Sequence, residues 1–325
     1  MKIAYQIKAD GVDVTDNFRD RLVSLTLVDE AGQSSDTAEI VLDDRNHAIA
    51  LPAPGAKLSI ALGSDGDLAE IGTYIVDEIS GEIAPALMTI SAKAADMTSQ
   101  IRGRKTRSWQ DVTIAQIVER IATEHGLEAR VGDSLAAMHF AYLAQTAESD
   151  LHFLTRIARD LDAVAKPAGG FLLFVKRGEA KAATGAALPV VEINGTDMSG
   201  GSWQLPRRVR YNSVAAEWSD REATQRGKVT VGQGEPSLLL RHLYANEAEA
   251  ERAAEAKLEA AKRASGTLNA HLAGFRSDLI AEGKVRLSGI KPELTSEWFI
   301  TRVQHQLNTT LTTRFTAERD QETPL

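Results

Sequence analysis

Along the first hundred residues, apolar and polar positions alternate in short runs. Ile3, Tyr5 and Ile7 alternate with polar neighbours. The same pattern recurs over Leu22–Val28, Ala38–Leu42, Lys57–Leu62, Thr73–Ile79 and Leu87–Ala92. Asp10-Gly11, Ala31-Gly32, Pro52-Ala53-Pro54-Gly55, Ser64-Asp65-Gly66 and Ala84-Pro85 punctuate these runs. Period-two alternation between turn residues predicts short strands of a sandwich or barrel. Near Ile101 the period changes. Thr113 and Gln116 make a capping box, and Ile114, Ile117, Val118 and Ile121 then share one helical face. His125-Gly126 ends that helix, because glycine accepts the left-handed conformation there. A second helix is predicted from Ser149 through Leu151, Leu154, Ile157 and Leu161, followed by a strand over Gly170–Val175.

Residues 101–178 therefore read as a small inserted α/β domain between a β-barrel over 1–100 and a second over 179–325. Lys176 to Pro189 reads as a linker, with strands expected again at Val190–Ile193, Arg208–Trp218 and Gly227–Val231. Within the last part, 246–265 is a helical insertion rich in Ala, Glu and Lys. Its apolar face holds only Leu258 as a large residue, so a surface helix is expected. The strand-and-turn pattern of residues 37–96 recurs over 266–320: Lys57-Leu58 corresponds to Lys284-Val285, Tyr74–Ile79 to Trp298–Val303, and Leu87–Ala92 to Leu311–Thr316. This echo reads either as the generic likeness of two β-meanders or as an internal duplication. The fold class is mainly β with α/β insertions.

Composition removes several functions. The chain has 325 residues and no cysteine, which excludes disulfides, Cys-ligated zinc, iron–sulfur clusters and thiol catalysis. With 37 basic against 45 acidic residues, the net charge of −8 gives no general attraction to nucleic acid or anionic membrane. Neither a signal peptide nor a membrane-spanning run is legible, so folding in a cytoplasm is expected.

Candidate chemistry is sparse. The seven histidines include no zinc-protease pair. Glu148, Asp150 and His152 lie at a helix start, where carboxylates complement the exposed N–H groups, so capping is preferred to metal ligation. Asp43-Asp44 is a carboxylate pair but reads as a turn. Arg102, Arg104, Lys105 and Arg107 with Trp109 suggest a phosphate-binding patch, although a short basic run in an acidic chain reads better as a solvated linker or subunit contact. No catalytic, cofactor-binding or metal residue is assigned, and no cofactor is expected.

Four stretches resemble the late control protein D family, the baseplate hubs of contractile phage tails. They are Ser35–Asp44, Gly72–Ile79 with Pro85, Arg107–Val118, and Gln145–Ala158. The last is the most specific, its Gln145, Glu148, Ser149, Asp150, Phe153, Leu154 and Arg156 matching a Q-x-x-E-S-D-x-x-F-L-x-R hallmark. Trp298–His305 is similar to the family's ending, while Asn308-Thr309-Thr310 departs from its usual Gly-Tyr-type element. The resemblance implies a non-enzymatic homotrimer with two tail-tube-like barrels per chain, together forming a pseudo-sixfold ring. Its implied partners are the tail tube protein, the central spike protein and baseplate wedge proteins, with a tape-measure protein as a further candidate. Neither specific nucleic-acid binding nor membrane insertion is implied. The expected location is the tail baseplate of a virion or tail-like particle, assembled in the bacterial cytoplasm; the amino-terminal part of type VI secretion spike proteins is related. A bore dominated by acidic and small polar residues is expected from the net charge. A cell-wall-degrading tail enzyme and a secreted carbohydrate-binding β-protein are the rival readings.

Overall fold

A computed structural model describes residues 3–31, 35–53, 55–94, 101, 103–168, 170–177, 188–205, 211–220, 224–263 and 266–319. The first lobe comprises β1 (Ile3–Ala9), β2 (Val12–Asp13), the single helical turn α1 (Thr15–Phe18), β3 (Leu22–Glu30) and β4 (Thr37–Asp43). It continues with β5 (Lys57–Ser64), the long β6 (Asp67–Glu82) and β7 (Leu87–Ala94). The inserted unit begins with β8 (Arg104–Thr113), α2 (Ile114–Glu124), β9 (Glu128–Val131) and α3 (Asp133–Ala136). Then come β10 (His139–Ser149), α4 (Asp150–Asp160), β11 (Ala163–Ala168) and β12 (Phe171–Lys176). The rest holds β13 (Val190–Asn194), β14 (Met198–Gln204), β15 (Ser213–Asp220), β16 (Gln225–Gly232), β17 (Ser237–Tyr244) and α5 (Glu247–Arg263). Last are β18 (Thr267–Leu272), β19 (Lys284–Ser288), β20 (Glu297–Leu307) and β21 (Leu311–Arg319).

The mainly-β expectation holds, but two separately closed barrels do not form. One thirteen-stranded sheet runs β14-β18-β21-β20-β3-β4-β7-β6-β5-β1-β2, with β19 on β20 and β13 on β19. The lobes share it because β20 changes partner along one edge. Glu297–Phe299 pair with β19, and Arg302–Leu307 then pair with Glu30–Leu25 of β3. A bulge at Thr301 lies between these stretches and re-aims the strand. Alternation places Ile7, Leu25, Leu27, Ile40, Ile60 and Ile90 in the first lobe's core. Val285, Leu287, Trp298, Ile300, Val303 and Phe315 fill that of the second.

The internal echo extends to the strand order. The first lobe pairs as β3-β4-β7-β6-β5-β1 and the second as β14-β18-β21-β20-β19-β13. Both series carry a bulge at matching places: Asp77 answers Thr301, and Val23 answers Ser199.

The inserted unit has its own core, in which α2, α4, β11 and β12 bury Ile117, Ile121, Phe153, Leu154 and Phe174. Thr113 caps α2 reciprocally with Gln116, as expected, and Gly126 takes φ +68 beyond its end. The Ala-rich helix is α5, and it does lie at the surface. Yet its small face is not idle: Ala250, Ala254 and Leu258 are buried against Val214 and Ala216 of the β16-β15-β17 sheet. Alanines let the helix backbone approach the sheet closely, so a stripe poor in large residues still makes a small core.

Candidate functional site

The hallmark segment folds into one connected ion network. β8 and β10 form an antiparallel ribbon that sets Lys105 opposite Glu148 and Arg107 opposite Gln145. A bulge between Gln145 and Glu148, with Ala147 at φ +51, turns the chain into α4. Ser149 caps that helix by accepting from His152 N at 3.2 Å. Asp150 follows, its side chain fully buried. Its Oδ1 accepts from Arg107 Nη2 at 2.7 Å and from Gln145 Nε2 at 2.8 Å. Its Oδ2 accepts from Lys105 Nζ at 2.5 Å and sits 2.8 Å from His125 Nε2. Glu124 closes the network, bonding Lys105 at 2.9 Å and Arg107 at 2.7 Å.

Electrostatics explains the arrangement. Burial pushes the Asp150 carboxyl up, but Lys105, Gln145, His125 and Arg107 together hold it below the usual carboxylate range. Burial likewise opposes Glu124, and the same two cations hold it low. A buried carboxylate left without such partners would destabilise the fold severely. Around the ions, Trp109 stacks on Phe153 at 5.7 Å between ring centroids, and the Arg107 guanidinium covers the Trp109 ring at 4.4 Å. Arg156 bonds Glu148 and donates to Ala144 O at 2.8 Å. Each lettered position of the hallmark therefore has a packing or bonding role.

The linker reading of the basic run is thus corrected: Lys105 and Arg107 lie on the strand β8 and are counter-ions of Asp150. Arg104 is exposed, and Arg102 lies outside the described residues. Asp150 does more than complement a helix dipole, while His152, on the same turn, is exposed. Ligand atoms of Glu124, His125 and Asp150 come within 4.8 Å of one another. Lys105 and Arg107 already bond both carboxylates, so a metal ion would have to displace two cations. The cluster locks β8, β10, α2 and α4 together.

A second polar knot ties the three parts of the chain together. Lys166 on β11, almost buried, donates to Asp36 Oδ1 at 2.8 Å and Glu30 O at 2.9 Å, with Asp29 at 3.4 Å. Asp29 Oδ2 in turn accepts from Ala281 N of the second lobe at 2.8 Å. Burial lowers Lys166, but Asp29 and Asp36 more than offset it and hold the ammonium above its usual range. Burial, with Asp29 alongside, pushes Asp36 up to about 6 against the pull of Lys166. Beside the knot, His305 on β20 is buried 3.0 Å from Thr313 Oγ1 and edge-on to Phe275. Sequence reasoning missed this knot, since Lys166 lies 130 residues or more from Asp29 and Asp36.

A duplicated sheet lobe joined edge to edge, an inserted α/β unit locked by a buried ion cluster, and a tie between all three make up the chain. The family model for the phage tail baseplate hub (GPD) matches residues 35–311. A relative from Escherichia phage 186, named "Probable baseplate hub protein", is 33% identical, covering 94% of this chain and 90% of its own. The chain belongs to the phage tail baseplate hub family. It is a virion-associated structural hub protein and not an enzyme. The fold is also that of the 43 kDa tail protein of a Shewanella oneidensis prophage, at TM-score 0.70, 14% identity and 98% coverage of both chains. An Escherichia coli component of the type VI secretion system shares it at TM-score 0.58 and 14% identity, over 97% of this chain and 77% of that one.

Proposed function

We propose that three copies of this hub form a pseudo-sixfold ring joining a hexameric tail tube to the central spike. The observation that carries this reading is the duplicated lobe: two equivalent six-strand series per chain give six quasi-equivalent units in a trimer. A ring with threefold identity and sixfold likeness presents the tube with a matching face and the spike with a threefold one. The same proposal divides the chain into lobes at 1–100 and 179–325 with the insertion at 101–178, supported by three core clusters that follow these bounds except that Leu307 and Leu311 pack into the first lobe's core. Baseplate wedge proteins would then contact the ring from outside, and a tape-measure protein would occupy the bore. Assembly in the bacterial cytoplasm and a bore lined by acidic and small polar side chains belong to the same reading. Light scattering on the purified protein, alone and with the spike protein, tests it. A trimer mass is expected; a monomer in the intact particle, or a hexamer of this chain, contradicts it.

A further inference from the structure

The ring reading leaves open which surfaces meet, and the internal repeat answers that. Matching the two lobes strand by strand and bulge by bulge sets Thr301 on Asp77 and Ser199 on Val23. The same match sets Trp298 on Tyr74, each paired with the equivalent residue of β19 or β5. It also sets Trp203 on Leu27, each opposite the equivalent residue of β18 or β4. Inside one chain the lobes join where Arg302–Leu307 of β20 pair with Glu30–Leu25 of β3. The equivalents of those two edges, the end of β6 and the strand β14, have no strand beside them among the described residues.

Their exposure is that of an interrupted interface. On β3, Leu25, Leu27 and Val28 are buried; their equivalents Gly201, Trp203 and Gln204 on β14 are exposed. On β20, Val303, His305 and Leu307 are buried, whereas Gly81 and Ile83 in the β6 series are exposed and Ile79 is half-covered. Trp203 on the edge strand β14 is 48% exposed, unusual for a large apolar residue, and Ile83, in the turn that follows β6, is 87% exposed.

We infer that β14 of one copy adds, antiparallel, to the end of β6 in the next, with Ile79 opposite Leu205, Ser80 opposite Gln204 and Gly81 opposite Trp203. Glu82 then faces Ser202, and Ile83 faces Gly201. The shapes suit this register, because Trp203 and Ile83 each lie across from a glycine that leaves room for them. Two different edges meet, so the contact is head-to-tail and repeats around a ring. The occupant is a second copy of this chain, since the template for the junction lies within the chain itself. The inference rests on the trimer reading only for where the repetition closes.

The absence of native cysteine permits a direct test. Ser80 and Gln204 are both exposed, so Ser80→Cys with Gln204→Cys leaves either core intact. Facing residues of an antiparallel pair lie within disulfide reach. Mild oxidation of the double variant is expected to give covalent dimers and trimers on a denaturing gel, with nothing larger. A mixture of the two single variants is expected to give dimers only. Ser80→Cys with Ser202→Cys, slipped by two residues, is expected to react at least about tenfold more slowly. A trimer by mass that forms no Ser80–Gln204 link overturns the strand pairing and leaves the trimer standing. A ladder running past the trimer keeps the pairing and overturns threefold closure. A chain that stays monomeric and unlinked at every concentration overturns both.

Discussion

The two lobes carry the same strand order and the same bulges, yet they differ in what surrounds them. In the first lobe, the short connection from β3 to β4 leaves β3 free to lie against β20. In the second, the equivalent connection from β14 to β18 holds the whole β15–β17 and α5 insertion. The outermost strands differ too: β1 runs antiparallel to β5, but β13 runs parallel to β19. The strand pairs shared by both lobes are those that set the sheet's curvature and core. The variable parts lie at its ends, where a connection can be exchanged without disturbing the ladder. Each lobe has one edge paired within the chain, β3 or β20, while the equivalent edges, β14 and the end of β6, have no strand beside them among the described residues, so equivalent residues experience different environments.

The sharpest test compares Leu27 with its equivalent Trp203. Leu27 is 1% exposed, so Leu27→Ala should cost about 2–5 kcal/mol in urea or guanidinium denaturation. A cost under about 1 kcal/mol would mean that β3 is not held against β20 as described.

The next effect separates His305 from its first-lobe equivalent Gly81. Burial drives the His305 imidazole down to about 4 despite the nearby Asp29. The unfolded chain therefore binds more protons between pH 6.5 and pH 4, and stability falls as pH falls through that window. The full loss is about 3 kcal/mol, and His305→Gln should remove it from the stability–pH curve. Asp36 acts with the opposite sign, since its raised carboxyl favours the fold in acid. The informative quantity is the difference between the two curves. Parallel curves would place His305 in water.

Lys166 is the tie that the first lobe has and the second lacks, for Leu205 stands at the place of Asp29. Lys166→Ala should destabilise by about 2 kcal/mol, less than for a fully buried pair because Asp29 and Asp36 keep some solvent contact. The cost should shrink as pH falls from 8 towards 5, because Asp36 can then take up a proton. A pH-independent loss would point to packing instead of charge.

The smallest effect on the isolated chain is expected from Trp203→Ala, at most about 1 kcal/mol, since the ring is half in water. The same change should weaken association in sedimentation experiments. A large loss of monomer stability would show that Trp203 already has its cover within the chain.

Several elements were legible because their signals are local. Period-two alternation marked β1, β3–β7 and β18–β21, and Thr113 with Gln116 marked the start of α2. The strand β8 was not legible, because Arg104-Lys105-Thr106-Arg107-Ser108 has polar residues at every position. Only its pairing with β10 makes it a strand. Likewise, the Ala stripe of α5 looked too small to be buried, and a facing sheet of small and β-branched residues buried it.

The sequence by itself determined the mainly-β class and the hallmark that places the chain among baseplate hubs, and it offered the repeat of the lobes as one of two readings. These follow from side-chain period and residue type, which act over a few neighbouring positions. Tertiary structure alone decided that the lobes join through β20 and β3, that Lys105 and Arg107 neutralise Asp150, and that Lys166 binds Asp29 and Asp36. The physical reason is that backbone hydrogen bonds are alike in every strand, so alternation cannot name a partner. A buried charge, similarly, reveals its counter-ion only once the chain has brought distant residues within about 3 Å.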